Sequence, residues 1–148
     1  MKNKIFSLFF LVLIVSCALE SKFGLPNDEK INTELIGTWL DIKTNETLLI
    51  KKNNEMSYKL IPNDSTEIIF YSKKIKGFNV LNIVTNDNGV KTNSFFGFEL
   101  RNDTLEFSEV NKDLKETDFN SQAELIKFFN ENIDKKGFFI NHTIVIRE

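Results

Sequence analysis

From residue 37 onward the apolar residues of this chain recur at every second position, in short runs closed by polar turns. Few folds accommodate that pattern. Residues 55–61 (EMSYKLI) place Met56, Tyr58 and Leu60 on one face, with Ser57 and Lys59 on the other. Residues 93–100 align Phe96, Phe98 and Leu100, and residues 103–109 set Leu105 and Phe107 against Thr104, Glu106 and Ser108. Segments 37–43, 47–52, 66–73, 78–85 and 138–147 complete the series. A period of two is that of a strand, whose side chains alternate between faces. Between the runs stand Lys43-Thr44-Asn45, Asn53-Asn54, Pro62-Asn63-Asp64, Asn86-Asp87-Asn88-Gly89 and Asn102-Asp103. These residues tolerate left-handed backbone or bond their own amides, so they mark turns. Many short strands with no long alternating helices predict an antiparallel all-β sandwich or barrel.

One helix interrupts the strands. Ser121-Gln122-Ala123-Glu124 matches a capping box, and Leu125, Phe129 and Ile133 then fall four apart, with Ile126 and Phe128 widening the stripe. Lys135, Lys136 and Gly137 close it, so residues 121–134 form a helix placed before the last strand. A shorter helical turn is expected over residues 28–35, where Ile31 and Leu35 are four apart and Asn27 or Asp28 can cap.

The first residues carry a different message. Lys2 and Lys4 precede an apolar stretch from Ile5 to Val15, which ends Ile14-Val15-Ser16-Cys17. The stretch is too short to span a bilayer and has the layout of an export signal. Its last four residues resemble the lipobox of bacterial lipoproteins. That resemblance implies cleavage after residue 16 and lipid on Cys17, an anchor of several acyl chains strong enough for stable attachment. Cys17 is the only cysteine, so no internal disulfide can form. Residues 17–27, with Gly24, Pro26 and no period, read as a lipid-anchored tether, and residues 28–148 as a single domain. Ala18 after the cysteine lacks the aspartate that resembles an inner-membrane retention signal, which points to the outer membrane of the cell envelope. With the lipid holding the membrane, the β domain is expected to need no membrane-binding face of its own.

Charge and motifs exclude several function classes. The chain has 19 basic and 21 acidic residues, and loss of Lys2 and Lys4 leaves 17 against 21, a net charge of −4. No basic block is present, which argues against nucleic acid as a partner. The one histidine, His142, and one cysteine make no zinc set or hydrolase triad. Asn86–Gly89 lacks the remaining ligands of a calcium loop. No phosphate loop is present, and the acids Asp113, Glu116 and Asp118 lie in a polar stretch. No cofactor, metal or catalytic role is therefore expected. Within a row Phe138, Ile140, His142, Ile144 and Ile146, His142 is the polar member if that face points inward.

A helical turn, then Gly37-Thr38-Trp39 opening the first strand, then an up-and-down β series, resembles the lipocalin pattern across residues 28–148. The resemblance implies a closed barrel of about eight strands, with Gly37 and Trp39 at its closed base and an arginine from the last strand covering the Trp. Arg147 fits that place by chain order. The helix before the last strand departs from the pattern, and the family's second turn motif has no counterpart. By the same resemblance the barrel is expected to hold a small apolar ligand, lined by Met56, Tyr58, Phe70, Phe96, Phe98 and Phe107, with Tyr58 or His142 as the polar contact. The alternative is a filled barrel that meets a protein partner in the envelope, as an assembly factor, inhibitor or immunity factor.

Overall fold

The computed structural model describes residues 18–62 and 67–148; the stretch read as an export signal, Cys17, and the expected turn residues Asn63 and Asp64 lie outside the described residues. Among the described residues are nine strands and one α-helix: β1 (Glu20–Ser21), β2 (Gly37–Asp41), β3 (Glu46–Asn54), β4 (Ser57–Pro62), β5 (Ile68–Ile75), β6 (Phe78–Asp87), β7 (Val90–Arg101), β8 (Thr104–Val110), α1 (Gln122–Asn132) and β9 (Phe139–Arg147). Strands β2 to β8 pair antiparallel in chain order. β9 then fills the seam between β8 and β2, closing an eight-stranded barrel. Closure leaves these strands no open sheet edge, the usual liability of an antiparallel sheet.

Turns form at Thr44-Asn45, Asn88-Gly89 and Asn102-Asp103 where polar residues were read, whereas Asn53 and Asn54 end β3 and the turn follows at Glu55-Met56. Asn45, Asn88 and Asn102 adopt positive φ of 60°, 50° and 53° in three of the hairpins, the backbone that asparagine accepts more readily than most residues. β2, β4, β6 and β8 all run toward one end of the barrel, the upper end. The β2–β3 and β6–β7 turns lie there, the β8–β9 connection leaves and returns there, and the β3–β4, β5–β6 and β7–β8 hairpins lie at the lower end. Before β2, Thr33–Leu35 forms a single 3-10 turn, capped by the Asn32 side chain rather than by Asn27 or Asp28.

Alternation divides the apolar residues between two cores. Inside the barrel pack Trp39, Ile50, Tyr58, Leu60, Phe70, Leu81, Phe96, Leu105 and Val145. Outside the wall of β5, β6 and β7, Tyr71, Ile75, Val80 and Phe95 meet Leu125, Phe128, Phe129 and Ile133 of α1. The helix forms as its capping box predicts. The Ser121 hydroxyl accepts from the Glu124 amide at 3.1 Å, and Glu124 reaches back to the Asn120 amide at 2.9 Å. The phenylalanines follow the same division. Phe70, Phe96, Phe98 and Phe107 belong to the barrel interior, whereas Phe23, Phe95, Phe119, Phe128, Phe129, Phe138 and Phe139 build the outer core. The phenylalanine richness therefore serves mainly the helix-covered wall.

Residues 18–25 do not form a free tether. Ala18, Leu19 and Leu25 are buried, and β1 pairs with Asn93 and Ser94 of β7 where β8 ends. The cause is a buried polar clamp on the barrel's outer wall. Tyr71 donates its hydroxyl to the Leu25 carbonyl at 2.6 Å, the Leu25 amide bonds Asn82 Oδ1 at 2.8 Å, and Asn82 donates to Asn93 Oδ1 at 2.9 Å. A Cβ on Gly24 would fall 2.5 Å from the Tyr71 hydroxyl, so only glycine passes here. Lys73 adds ion pairs to Asp28 and Glu29 further along the strap.

Candidate functional site

The residues expected to line a ligand cavity separate into three groups. Tyr58, Phe70 and Phe96 sit together in the barrel core. Tyr58 and Phe70 stack with centroids 4.7 Å apart and planes 11° from parallel. The Tyr58 hydroxyl accepts from the Asn32 amide at 2.6 Å, so its polar end ties down the segment entering β2. Phe98 and Phe107 oppose each other across β7 and β8 and pack against that core while half-buried. Met56 lies in the β3–β4 turn at the lower end, its amide bonded to Asn54 Oδ1.

His142 is outside the barrel: the face that would carry it inward holds only as far as Ile140, opposite Glu109, and beyond the register shift Thr143 and Val145 take the inward positions. Val145 fills the interior, leaving Ile144 and Ile146 exposed at 45% and 36%. A register shift between Phe107 and Glu109, with Asn141 opposite at φ 52°, changes the alternation of β9 along its length. Such a bulge re-aims every side chain beyond it.

Gly37, Trp39 and Arg147 come together at the lower end. The fully buried Trp39 donates its indole N–H to the Leu35 carbonyl at 3.0 Å, and the Arg147 guanidinium lies 4.3 Å over its ring. Arg147 also donates to the Ile36 carbonyl (3.1 Å), the Glu34 carbonyl (2.6 Å) and Asp103 (3.1 Å). One planar cation thus covers the aromatic face and satisfies the carbonyls of the 3-10 turn. Gly37 has φ +147°, and a Cβ there would meet Arg147 Nη1 at 2.7 Å. The Gly-x-Trp spacing is therefore set by the arginine crossing above it.

Above the apolar core the inward positions turn polar. Asp41 shares a face with Trp39, and Glu46, Ser94 and Glu109 occupy inward register positions at the same end. Asp41 Oδ1 accepts from the Lys43 and Thr44 amides, closing the β2–β3 turn, while its Oδ2 is buried without a hydrogen-bond partner. Burial, with the Asp41 carboxylate adding to it, raises the pKa of Glu46. Glu109 accepts from Asn141 Nδ2 at 2.9 Å.

A groove of about 370 Å³ opens on the outer side wall, where Phe78, Phe98 and Phe139 meet Glu106, Ser108 and His142. Gly97 forms its floor because Phe139 crosses there; a Cβ at Gly97 would stand 2.5 Å from that ring. His142 Nδ1 lies 2.8 Å from Glu106 Oε1, and Phe78 is exposed beside Phe139. This assembly was not foreseen, because its members come from four strands. The sequence signal for it was Gly97 within an otherwise bulky strand. Among the described residues, no three His, Cys, Asp or Glu side chains converge as metal ligands, and no helix is long and apolar enough to cross a membrane. Comparison with protein-family models, curated proteins and solved structures returned no match.

Proposed function

We propose that this chain is a lipoprotein of the bacterial cell envelope, anchored to the outer membrane through lipid on Cys17. Its lipocalin-like barrel is filled, carries no catalytic centre, and acts through its outer surface on a protein partner. The observation supporting this reading is the state of the expected cavity lining. Tyr58, Phe70 and Phe96 are spent on packing one another, and the Tyr58 hydroxyl is engaged with the chain's own backbone. The groove at Phe78, Phe139 and His142 is the concave apolar feature left for a partner, since half-exposed aromatic rings are common anchors in interfaces. A photocrosslinking benzoylphenylalanine placed at position 78 in living cells tests it. The expected result is a discrete adduct with a second envelope protein, absent when the probe is moved to Lys127 on the exposed face of α1. Only uncrosslinked protein from both positions would count against the reading.

A second reading, a small apolar ligand in the upper lumen, draws support from one feature. The orphaned Asp41 Oδ2 sits at the inward end of β2, above the half-buried Leu48, Ile83 and Phe107.

A further inference from the structure

We propose that the upper end of the barrel is a membrane-facing surface, seated on the phospholipid headgroups of the bilayer that holds the Cys17 lipid. The inference rests on the lipid-anchor reading and adds to it an orientation and a contact face.

The first observation is where the anchor must leave the domain. Ala18 is buried and forms a β-bridge with Asn111, just past the upper end of β8. The Leu19 amide bonds the Val110 carbonyl at 2.8 Å, and the Phe95 amide bonds the Leu19 carbonyl at 3.1 Å. The residue adjoining Cys17 is thus already fixed to the fold. One residue reaches at most about 3.5 Å, so lipid on Cys17 would be attached close to where Ala18 joins the upper end.

The second observation is independent of the first. Ile42, Val90 and Leu114 are large apolar side chains exposed at 61%, 67% and 43%, and all three lie at the upper end: in the β2–β3 turn, at the tip of the β6–β7 hairpin and just after β8. Lys43, Lys91 and Lys112 stand beside them, and none of the three takes part in an ion pair among the described residues. At the lower end Lys52 pairs with Glu55, Lys76 with Asp134, Arg101 with Glu99 and Arg147 with Asp103, while Lys30 and Lys74 there, like the upper three, take part in no ion pair among the described residues. Apolar tips flanked by long cationic side chains match a lipid interface, where the tip enters the acyl boundary and the ammonium group stays with the phosphates. Asp87, Asp113, Glu116 and Asp118 lie among them and temper the charge. The apolar tips and the anchor therefore carry the contact, the lysine stems reaching the headgroup phosphates.

If Cys17 is lipidated, it offers no free thiol, so an introduced cysteine labels at one place. The mature lipoprotein is reconstituted into vesicles of phosphatidylethanolamine and phosphatidylglycerol carrying spin-labelled headgroups. A nitrobenzoxadiazole probe is attached at Leu114→Cys (upper end) or Glu55→Cys (lower end). Quenching is expected to be several-fold stronger at position 114, with a blue-shifted emission. Adding Ile42→Ser and Val90→Ser to the 114 variant should reduce both effects while the protein stays vesicle-bound. Lipidated protein whose two probes quench equally overturns the orientation and leaves the anchor reading intact. An N-terminal peptide whose mass lacks acyl chains overturns both.

Discussion

At the scale of single residues, the lower end of the barrel depends on one crossing. Arg147 stacks on Trp39, satisfies two carbonyls of the 3-10 turn and occupies the space that any side chain at position 37 would need. Replacing Arg147 with Lys keeps the charge but loses the planar fork, and is expected to cost about 1–2 kcal/mol in urea unfolding. Gly37→Ala adds strain at a positive φ and displaces the arginine, so a loss of at least about 1–3 kcal/mol is expected. The double variant should cost less than the sum of the two, because each change removes the same contact. Additive losses would mean that Gly37 and Arg147 act separately. This constellation was legible in the sequence because Gly-x-Trp is local and Arg147 is one of only two arginines.

At the scale of elements, strands and turns were legible wherever one face is buried and the other wet, as in β4 and β8. The strap of residues 18–25 was not, because its order comes from elsewhere in the chain. Asn82 and Asn93, polar residues within strands, and Tyr71 hold it, and nothing local in ALESKFGL marks that pairing. Burial pushes the Tyr71 hydroxyl up to about 12 from its ordinary value of 10. The folded state thus favours the neutral phenol, so this contribution to stability is complete below pH 10 and falls as pH rises toward 12. A two-unit shift corresponds to on the order of 2–3 kcal/mol. Urea midpoints measured between pH 9 and 12 should drop more steeply for the native chain than for Tyr71→Phe. Parallel curves would mean that the Tyr71 hydroxyl is not held in a dry site. The outward position of His142 was hidden for a similar reason. A bulge between β8 and β9 is a two-strand event, and strict alternation along one strand cannot reveal it.

At the scale of the whole molecule, the fold joins two cores through one wall. The barrel interior takes four phenylalanines, and the helix-covered wall takes seven. The antiparallel all-β class followed from periodicity and turn residues and the helix from its capping box and apolar stripe, while the closed barrel was implied by the lipocalin resemblance. The division of the aromatic residues did not follow, because a strand buried on both faces shows no alternation: in Asn93–Leu100, Phe95 faces the helix while Phe96 faces the barrel. That division is why an aromatic-rich sequence need not enclose a cavity. It accords with the proposal that the molecule acts through its side groove and its upper end. The central claim is therefore that the interior is core. Native mass spectrometry of the mature lipoprotein, extracted in mild detergent without denaturant, tests it most directly. The expected mass is that of residues 17–148 plus the acyl modification of Cys17, unchanged by brief denaturation and refolding. A stoichiometric additional small molecule, released on unfolding and regained on refolding with envelope lipids, would contradict it.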